Sequence, residues 1–240
     1  MEFPIRINKY LAEAGYATRR SADALIEEGR VFVNGEKAVL GQKVTESDVV
    51  ELKDFSTKDH RYILYYKPRG IVTHSPAEFE TDIETQIKKD HNISGVFPIG
   101  RLDKESEGLI LLTNDGRVTK KMLDPEVGHE REYEVVVDKR VPQTVMNALS
   151  KGVNIEGYRT KPAKAEKRSE NENMFNITLT EGKRHQVRRM CAKLGYQVLE
   201  LKRVRIGSLE LKRLKPGALY ELNKKEAKQF LASLQLPASD

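Results

Sequence analysis

GRLDKESEGLILLTNDG, residues 100–116, sets a charged loop against a dense apolar run. Residues 109–112 are too few for an ordinary helix. They are bounded by Gly108 and by Asn114-Asp115-Gly116, so they read as a buried strand ending in a tight turn. A shorter apolar run, 96–99, precedes the loop. Asp103 therefore stands in a polar loop pinned to a buried strand, which is a good way to hold a carboxylate still. From these residues alone two readings stay open. An Asp beside Arg and Lys in a loop is most often a turn or capping residue; the other reading is a functional carboxylate.

The sequence after residue 61 mixes many strands with few helices. Tyr62-Ile63-Leu64-Tyr65-Tyr66 reads as a strand stopped by Lys67-Pro68-Arg69-Gly70. Residues 81–89 suit a short helix, and another follows Gly116 through Val118 and Met122 to Leu123. Residues 132–137 form a strand with Tyr133, Val135 and Val137 on one face. A helix over 142–151 stops at Gly152, and a strand spans 174–180. The segment 186–194 carries Val187, Met190 and Leu194 along one side of a helix ended by Gly195. Residues 197–201 and 208–211 are strand-like, and 224–234 is helical. This pattern predicts an α+β fold with a mainly antiparallel sheet, not a doubly wound parallel one. No phosphate-loop pattern for a nucleotide cofactor is present.

The first fifty residues are different in kind. Ile7, Leu11 and Ala14 recur at helical spacing, with Gly15 as a stop. Thr18 can cap a second helix that buries Ala22, Leu25 and Ile26 and ends at Gly29. Residues 31–33, Asn34-Gly35 and 37–39 read as a hairpin with a two-residue turn. Arg19 and Arg20 occupy the first turn of the second helix, where the helix dipole disfavours positive charge. The free N–H groups there suit an anion. Either a phosphate is the missing partner, with Arg6 and Lys9 nearby, or water and salt screen the repulsion. Residues 53–61 are polar and aperiodic and read as a linker, which gives domains at 1–52 and 62–240.

Composition narrows the classes further. With 240 residues, 38% hydrophobic, 32% charged and no Trp, the chain suits a soluble protein of one or two domains. Its apolar runs fall far short of the roughly 20 residues of a membrane span. Met1-Glu2-Phe3-Pro4 lacks the pattern of a secretory signal. One cysteine, Cys191, allows no internal disulfide, and the five His show no metal-ligand spacing with it. A cytoplasmic protein without a structural metal is expected. The net charge of +6 is unevenly spread: residues 1–52 hold seven Lys/Arg against nine Asp/Glu, whereas 181–215 hold eleven against three. That is the footprint of a nucleic-acid binder or of a solvated basic face.

RINKYLAEAGYATRRSADALIEEGRVFVNGEKAVLGQKV resembles the S4 RNA-binding domain (αL-like) over nearly all of residues 5–50. In that family the RR-led helix and its neighbours face structured RNA. FPIGRLDKESEGLILLTNDG resembles the signature around the catalytic Asp of pseudouridine synthases of the RsuA/RluB/RluF group. KPRGIVTH, EREYEV and EGKRHQVRRMCAKLGY resemble the group's further motifs, in the family's order across residues 5–222. The resemblance implies a small N-terminal S4 domain followed by a catalytic domain with a mainly antiparallel mixed sheet flanked by helices. It also implies isomerisation of uridine to pseudouridine in RNA, with no cofactor and no metal.

By the same resemblance Asp103 is the catalytic carboxylate and Arg188 is the arginine that pairs with it, which would orient it and keep it charged. Tyr133 is the active-site Tyr, a platform for the target uracil and a candidate for shuttling the C5 proton. Leu201 falls near the apolar residue that packs beneath the base. Arg101, Lys183, Arg184, Arg189 and Arg203 are assigned to RNA phosphates, beside Arg6, Lys9, Arg19 and Arg20 of the S4 region. His185 suits either RNA contact or structural hydrogen bonding. Tyr220 stands where the family commonly carries Arg, which puts a peripheral RNA contact in doubt. HEREYEV, GVNIEGYRTKPAKAE and RRMCAKLGYQVLELKRVRIG look most like the RluF branch. The expected substrate is therefore 23S rRNA and, as a further candidate, tRNA. The alternatives are 16S rRNA or a non-catalytic rRNA-binding assembly factor. A monomer without membrane partners is expected.

Overall fold

In the computed structural model, residues 3–14, 16–17, 19–53, 60–124, 126–168 and 172–237 are described. Gly15 and Thr18, expected as helix stop and cap, lie outside these residues, as does the side chain of Arg20.

The N-terminal residues build their own small core. β1 (Ile5–Arg6) runs directly into α1 (Ile7–Glu13), and α2 (Arg19–Glu27) packs against it. β2 (Val31–Val33) and β3 (Glu36–Lys37) form the expected hairpin. Its turn takes Asn34 and Gly35 to φ of 53° and 84°, the handedness that matches strand twist. β4 (Lys43–Val44) pairs with β1, and β5 (Val50–Leu52) pairs with β2. Ile7, Leu11, Ala22, Ile26, Val31 and Val44 are buried together.

The rest of the chain supplies β6 (Tyr62–Lys67), α3 (Ile83–His91), β7 (Phe97–Ile99), β8 (Glu107–Thr113) and α4 (Gly116–Leu123). Then come β9 (Arg131–Val137), α5 (Gln143–Lys151), β10 (Asn154–Ile155), β11 (Tyr158–Arg159), β12 (Lys164–Lys167) and β13 (Met174–Leu179). α6 (Gln186–Lys193), β14 (Val198–Ile206), β15 (Leu209–Glu210), β16 (Leu219–Glu221) and α7 (Lys224–Ser233) complete it. One sheet runs in the order β12-β13-β9-β14-β8-β6-β16, with β7 also on β8 and β15 on β14. Every pairing in it is antiparallel except β14 with β8. The α+β, mainly antiparallel class expected from the sequence is what forms.

β6 is buried at every position and β8 at every position after Glu107, and their central residues are apolar, because both sheet faces are covered. Tyr62, Leu64, Tyr66, Leu109 and Leu111 face a core closed by α4 and α7; Ile63, Tyr65, Ile110 and Leu112 face one closed by α3. Each such side chain contributes about 1.5–3 kcal/mol by burial. α5 and α6 cover the other half of the sheet, over Val135, Val137, Phe175 and Ile177.

One strand is longer than the sequence suggested. β14 continues five residues past the expected segment, through Ile206, because its charged positions are paired on both sides, with β9 on one and with β8 and β15 on the other. Its register shifts between Arg203 and Arg205, a bulge that re-aims side chains. At the parallel crossing Gly108 has φ of 108°, and a Cβ there would lie 2.3 Å from the Arg203 carbonyl oxygen. Only glycine lets the two strands meet.

Gly116 has a second kind of contact. A Cβ there would lie 2.6 Å from the carbonyl oxygens of both Ala12 and Ala17, so the N-terminal backbone rests directly on the start of α4. Beside it Asp115 caps α4, accepting from Arg117 and Tyr62 in a fully buried position.

Candidate active site

Residues 100–106 bridge β7 and β8, and the carbonyls of residues 101–105 are all tied down. The Arg101 carbonyl accepts from Arg203 Nη1 at 3.2 Å, and that of Leu102 from Thr73 Oγ1 at 2.7 Å. The Asp103 carbonyl takes the Ser106 amide at 3.0 Å. The Lys104 carbonyl takes the Gly70 amide at 2.9 Å, with Lys67 Nζ at 3.5 Å, and Glu105 takes Arg188 Nη2 at 2.9 Å. Thr73 Oγ1 also accepts from the Leu102 amide at 3.0 Å. Three other segments, residues 67–73, α6 and β14, together with Ser106 of the loop itself, thus hold the peptide units around Asp103, which fixes where its carboxylate stands.

Three of those donors are cations, Lys67 and Arg203 buried and Arg188 partly buried. Lys67 is fully buried at the end of β6, with Nζ donating to the carbonyls of Pro68 (2.9 Å) and Ile71 (2.7 Å). Burial pulls its pKa down to about 8, opposed by the charges of Asp103, Glu105 and Glu107. Burial likewise lowers Arg188 and Arg203, and Asp103 opposes the shift in both. Asp103 thus stands in the field of three cations held against its loop. In contact with Asp103 itself is His185, whose Nε2 lies 3.2 Å from Oδ1. His185 holds a left-handed backbone (φ 52°) as the residue before α6.

Asp103 opens into a cavity of about 800 Å³. Tyr133 and Leu201 line it, from β9 and β14, and so does Arg203. Tyr133 and Arg203 are direct cross-strand partners, and Leu201 shares a strand face with Arg203 two residues on. Arg101, Lys183 and Arg184 are exposed and stand on the same cavity. Lys183 Nζ also lies 4.8 Å from the centre of the Tyr158 ring.

Three expected residues are placed differently. The bidentate pair of Arg188 with Asp103 is not formed: Arg188 donates to the carbonyls of Val198 (3.0 Å) and Glu105. Its position on the first turn of α6 sends it under the loop rather than into the cavity. Arg203, expected on an RNA phosphate, is 3% exposed, because the bulge and Gly108 admit it between strands. It donates to Leu109 (2.8 Å) and Arg101. Arg189 is engaged by Glu156 at 2.6 Å and by the Arg184 carbonyl.

A second cavity, of about 430 Å³, lies in the N-terminal module. Arg6, Lys9 and Arg19 line it, as the sequence had grouped them, and Lys43 joins them. Arg6 and Arg19 are exposed, and Lys9 lies 3.8 Å from Glu13. Tyr220 donates to Glu226 at 2.7 Å, within the cap of α7.

Sequence reasoning missed Lys67, Thr73 and Lys43. Lys67 had a signal: it continues the unbroken buried run of β6, where a lysine must find carbonyl partners. Arg203 had one too, since alternation from Leu201 puts it on the same inward face. Thr73 and Lys43 had none.

A carboxylate fixed on the loop between two strands shares a basic cavity with a strand tyrosine, and a second hollow lined by cations lies in the N-terminal module, an arrangement that fits an enzyme acting on a polyanion such as RNA. The chain belongs to the RNA pseudouridylate synthases and is an RNA isomerase: that family's model matches residues 61–193, and the S4 domain's matches 5–50. It is 39% identical over 227 residues to the dual-specificity RNA pseudouridine synthase RluF of Escherichia coli K12, covering 92% of this chain and 77% of that protein. It is 36% identical over 235 residues to the ribosomal large subunit pseudouridine synthase B of Bacillus subtilis 168, covering 95% and 96%. A crystal structure of a pseudouridylate synthase superposes with a TM-score of 0.68 at 29% identity, covering 93% of this chain and 98% of that one.

Proposed function

We propose that this chain isomerises a specific uridine of 23S rRNA to pseudouridine, with a tRNA uridine as a second substrate. It acts as a cytoplasmic monomer without a cofactor. The N-terminal cations hold structured RNA while the target nucleotide leaves its stack and enters the larger cavity. Asp103, on the loop that Lys67, Arg188 and Arg203 hold, supports cleavage of the N1–C1′ bond. The uracil turns against Leu201 and rejoins through C5. Tyr133 takes the C5 proton, and N1 gains one, so the reaction is redox-neutral. Arg101, Lys183 and Arg184 meet phosphates at the mouth.

One observation carries this reading: each carbonyl from Arg101 to Glu105 has a donor, so the loop is organised around Asp103 before any RNA arrives. Support for the large subunit as substrate comes from the names of the relatives, one of them a large-subunit enzyme and others dual-specific. The test is tritium release from [5-³H]uridine-labelled 23S, 16S and tRNA transcripts with purified protein. Release from 23S, with or without tRNA, is expected. Release from 16S alone would reassign the substrate, and binding without release from any RNA would make the chain an assembly factor.

A further inference from the structure

We propose that Phe79 is a stacking platform for a nucleobase next to the target uridine; this rests on the reading of the chain as an RNA pseudouridine synthase. Phe79 is 98% exposed, an environment in which a phenyl ring has nothing to pack on. Its backbone sits at φ of 68°, where a bulky residue is strained. It is the third residue of a turn closed by the Glu80 amide on the Ala77 carbonyl at 3.0 Å, a place that glycine ordinarily takes when φ is positive.

The turn is anchored as well as strained. The Glu80 carboxylate accepts from the Ala77 amide at 3.0 Å and from Lys104 Nζ at 2.8 Å. Lys104 follows Asp103, and both line the cavity, as do His74 and Ser75 at the start of the same segment. The ring is therefore held out from the cavity lip by a strut to the catalytic loop itself. Exposed Arg101 and Arg69 stand on that loop and the adjoining one, so the lip draws RNA. Glu78 and Glu80 flank Phe79 in the chain and disfavour a phosphate there, which leaves the uncharged face of a base as the matching surface. When the target uridine flips out, its neighbours lose a stacking partner, and an aromatic face can replace it without reading sequence.

The test compares Phe79→Ala, Phe79→Leu and Phe79→Trp by tritium release from [5-³H]uridine-labelled 23S transcript, with thermal unfolding as a fold control. Alanine and leucine should each lower kcat/KM about five- to a hundredfold, the range of one base–aromatic stack. Tryptophan should stay within about threefold of the parent. All three should unfold like the parent, since the ring packs on nothing. Equal activity of the alanine variant, or full activity of leucine, would overturn the stacking role. If the parent itself releases no tritium, the enzymatic reading fails first, and the two failures are thereby distinct.

Discussion

Arg203 and Arg19 are the same residue type in two cavities of one chain, and they are used in opposite ways. Arg203 is sealed between strands and spends its donors on the carbonyls of Leu109 and Arg101. Arg19 stands exposed with Arg6, Lys9 and Lys43 around an open hollow. A guanidinium whose donors are committed to backbone shapes a loop, whereas one left in water is available to an anion. If the proposed roles hold, the difference separates the reaction from the grip on RNA, and substitutions on either side should therefore fail in different observables.

The largest effect is expected at Asp103. Asp103→Asn should lower kcat by about a thousandfold or more while the affinity for 23S transcript stays within twofold. A parallel loss of affinity would merge the two regions into one. Next is Arg203→Met, which leaves two carbonyls without their donor at about 1–3 kcal/mol each. It should cost about ten- to a hundredfold in kcat, by single-turnover kinetics, with little change in salt dependence. Arg203→Lys should not restore it, because a point charge does not span both carbonyls.

A smaller and different effect belongs to the N-terminal hollow. Arg6→Ala with Arg19→Ala should weaken RNA binding by about tenfold and flatten the log K against log salt slope by about 0.7–0.9 per lost contact, with kcat intact. An unchanged slope would mean that these side chains meet no phosphate.

The smallest effect lies at the junction between the regions. Burial would raise the pKa of the Asp115 carboxyl, but hydrogen bonds from Arg117 and Tyr62 outweigh it and hold the group below the ordinary range. A folded pKa below the unfolded one gives stability that is complete above the unfolded value, near 3.8. It is lost as pH falls through the folded value. Asp115→Asn should therefore destabilise by about 1–3 kcal/mol at neutral pH and flatten the acid limb of the denaturation curve. Denaturant titrations at pH 7 and below 4 check this.

Much of this arrangement was legible because it is local. The run at 109–112 could only be a strand covered on both faces, and the loop before it had to carry its charges outward. The hairpin at Asn34-Gly35 announced its own turn. What escaped depended on which acceptors lie nearest once the chain is folded. Lys67 looked like turn punctuation before Pro68, yet its ammonium reaches the carbonyls of Pro68, Ile71 and Lys104. Arg203 lay in a basic stretch whose charge suggested a surface, and only the bulge and the crossing at Gly108 turn it inward. Arg188 stands on the helix turn that was expected, but two carbonyls compete with Asp103 for its donors. Spacing places a residue on a helix face; it does not say which acceptor will be nearest.

The most direct measurement is a pseudouridine map of rRNA and tRNA by carbodiimide-based primer stops, in cells lacking the gene and in the same cells carrying either the parent gene or Asp103→Asn. The account expects a 23S uridine, with or without a tRNA position, to lose its modification and to regain it with the parent only. Restoration by Asp103→Asn, or no position lost on deletion, would contradict it.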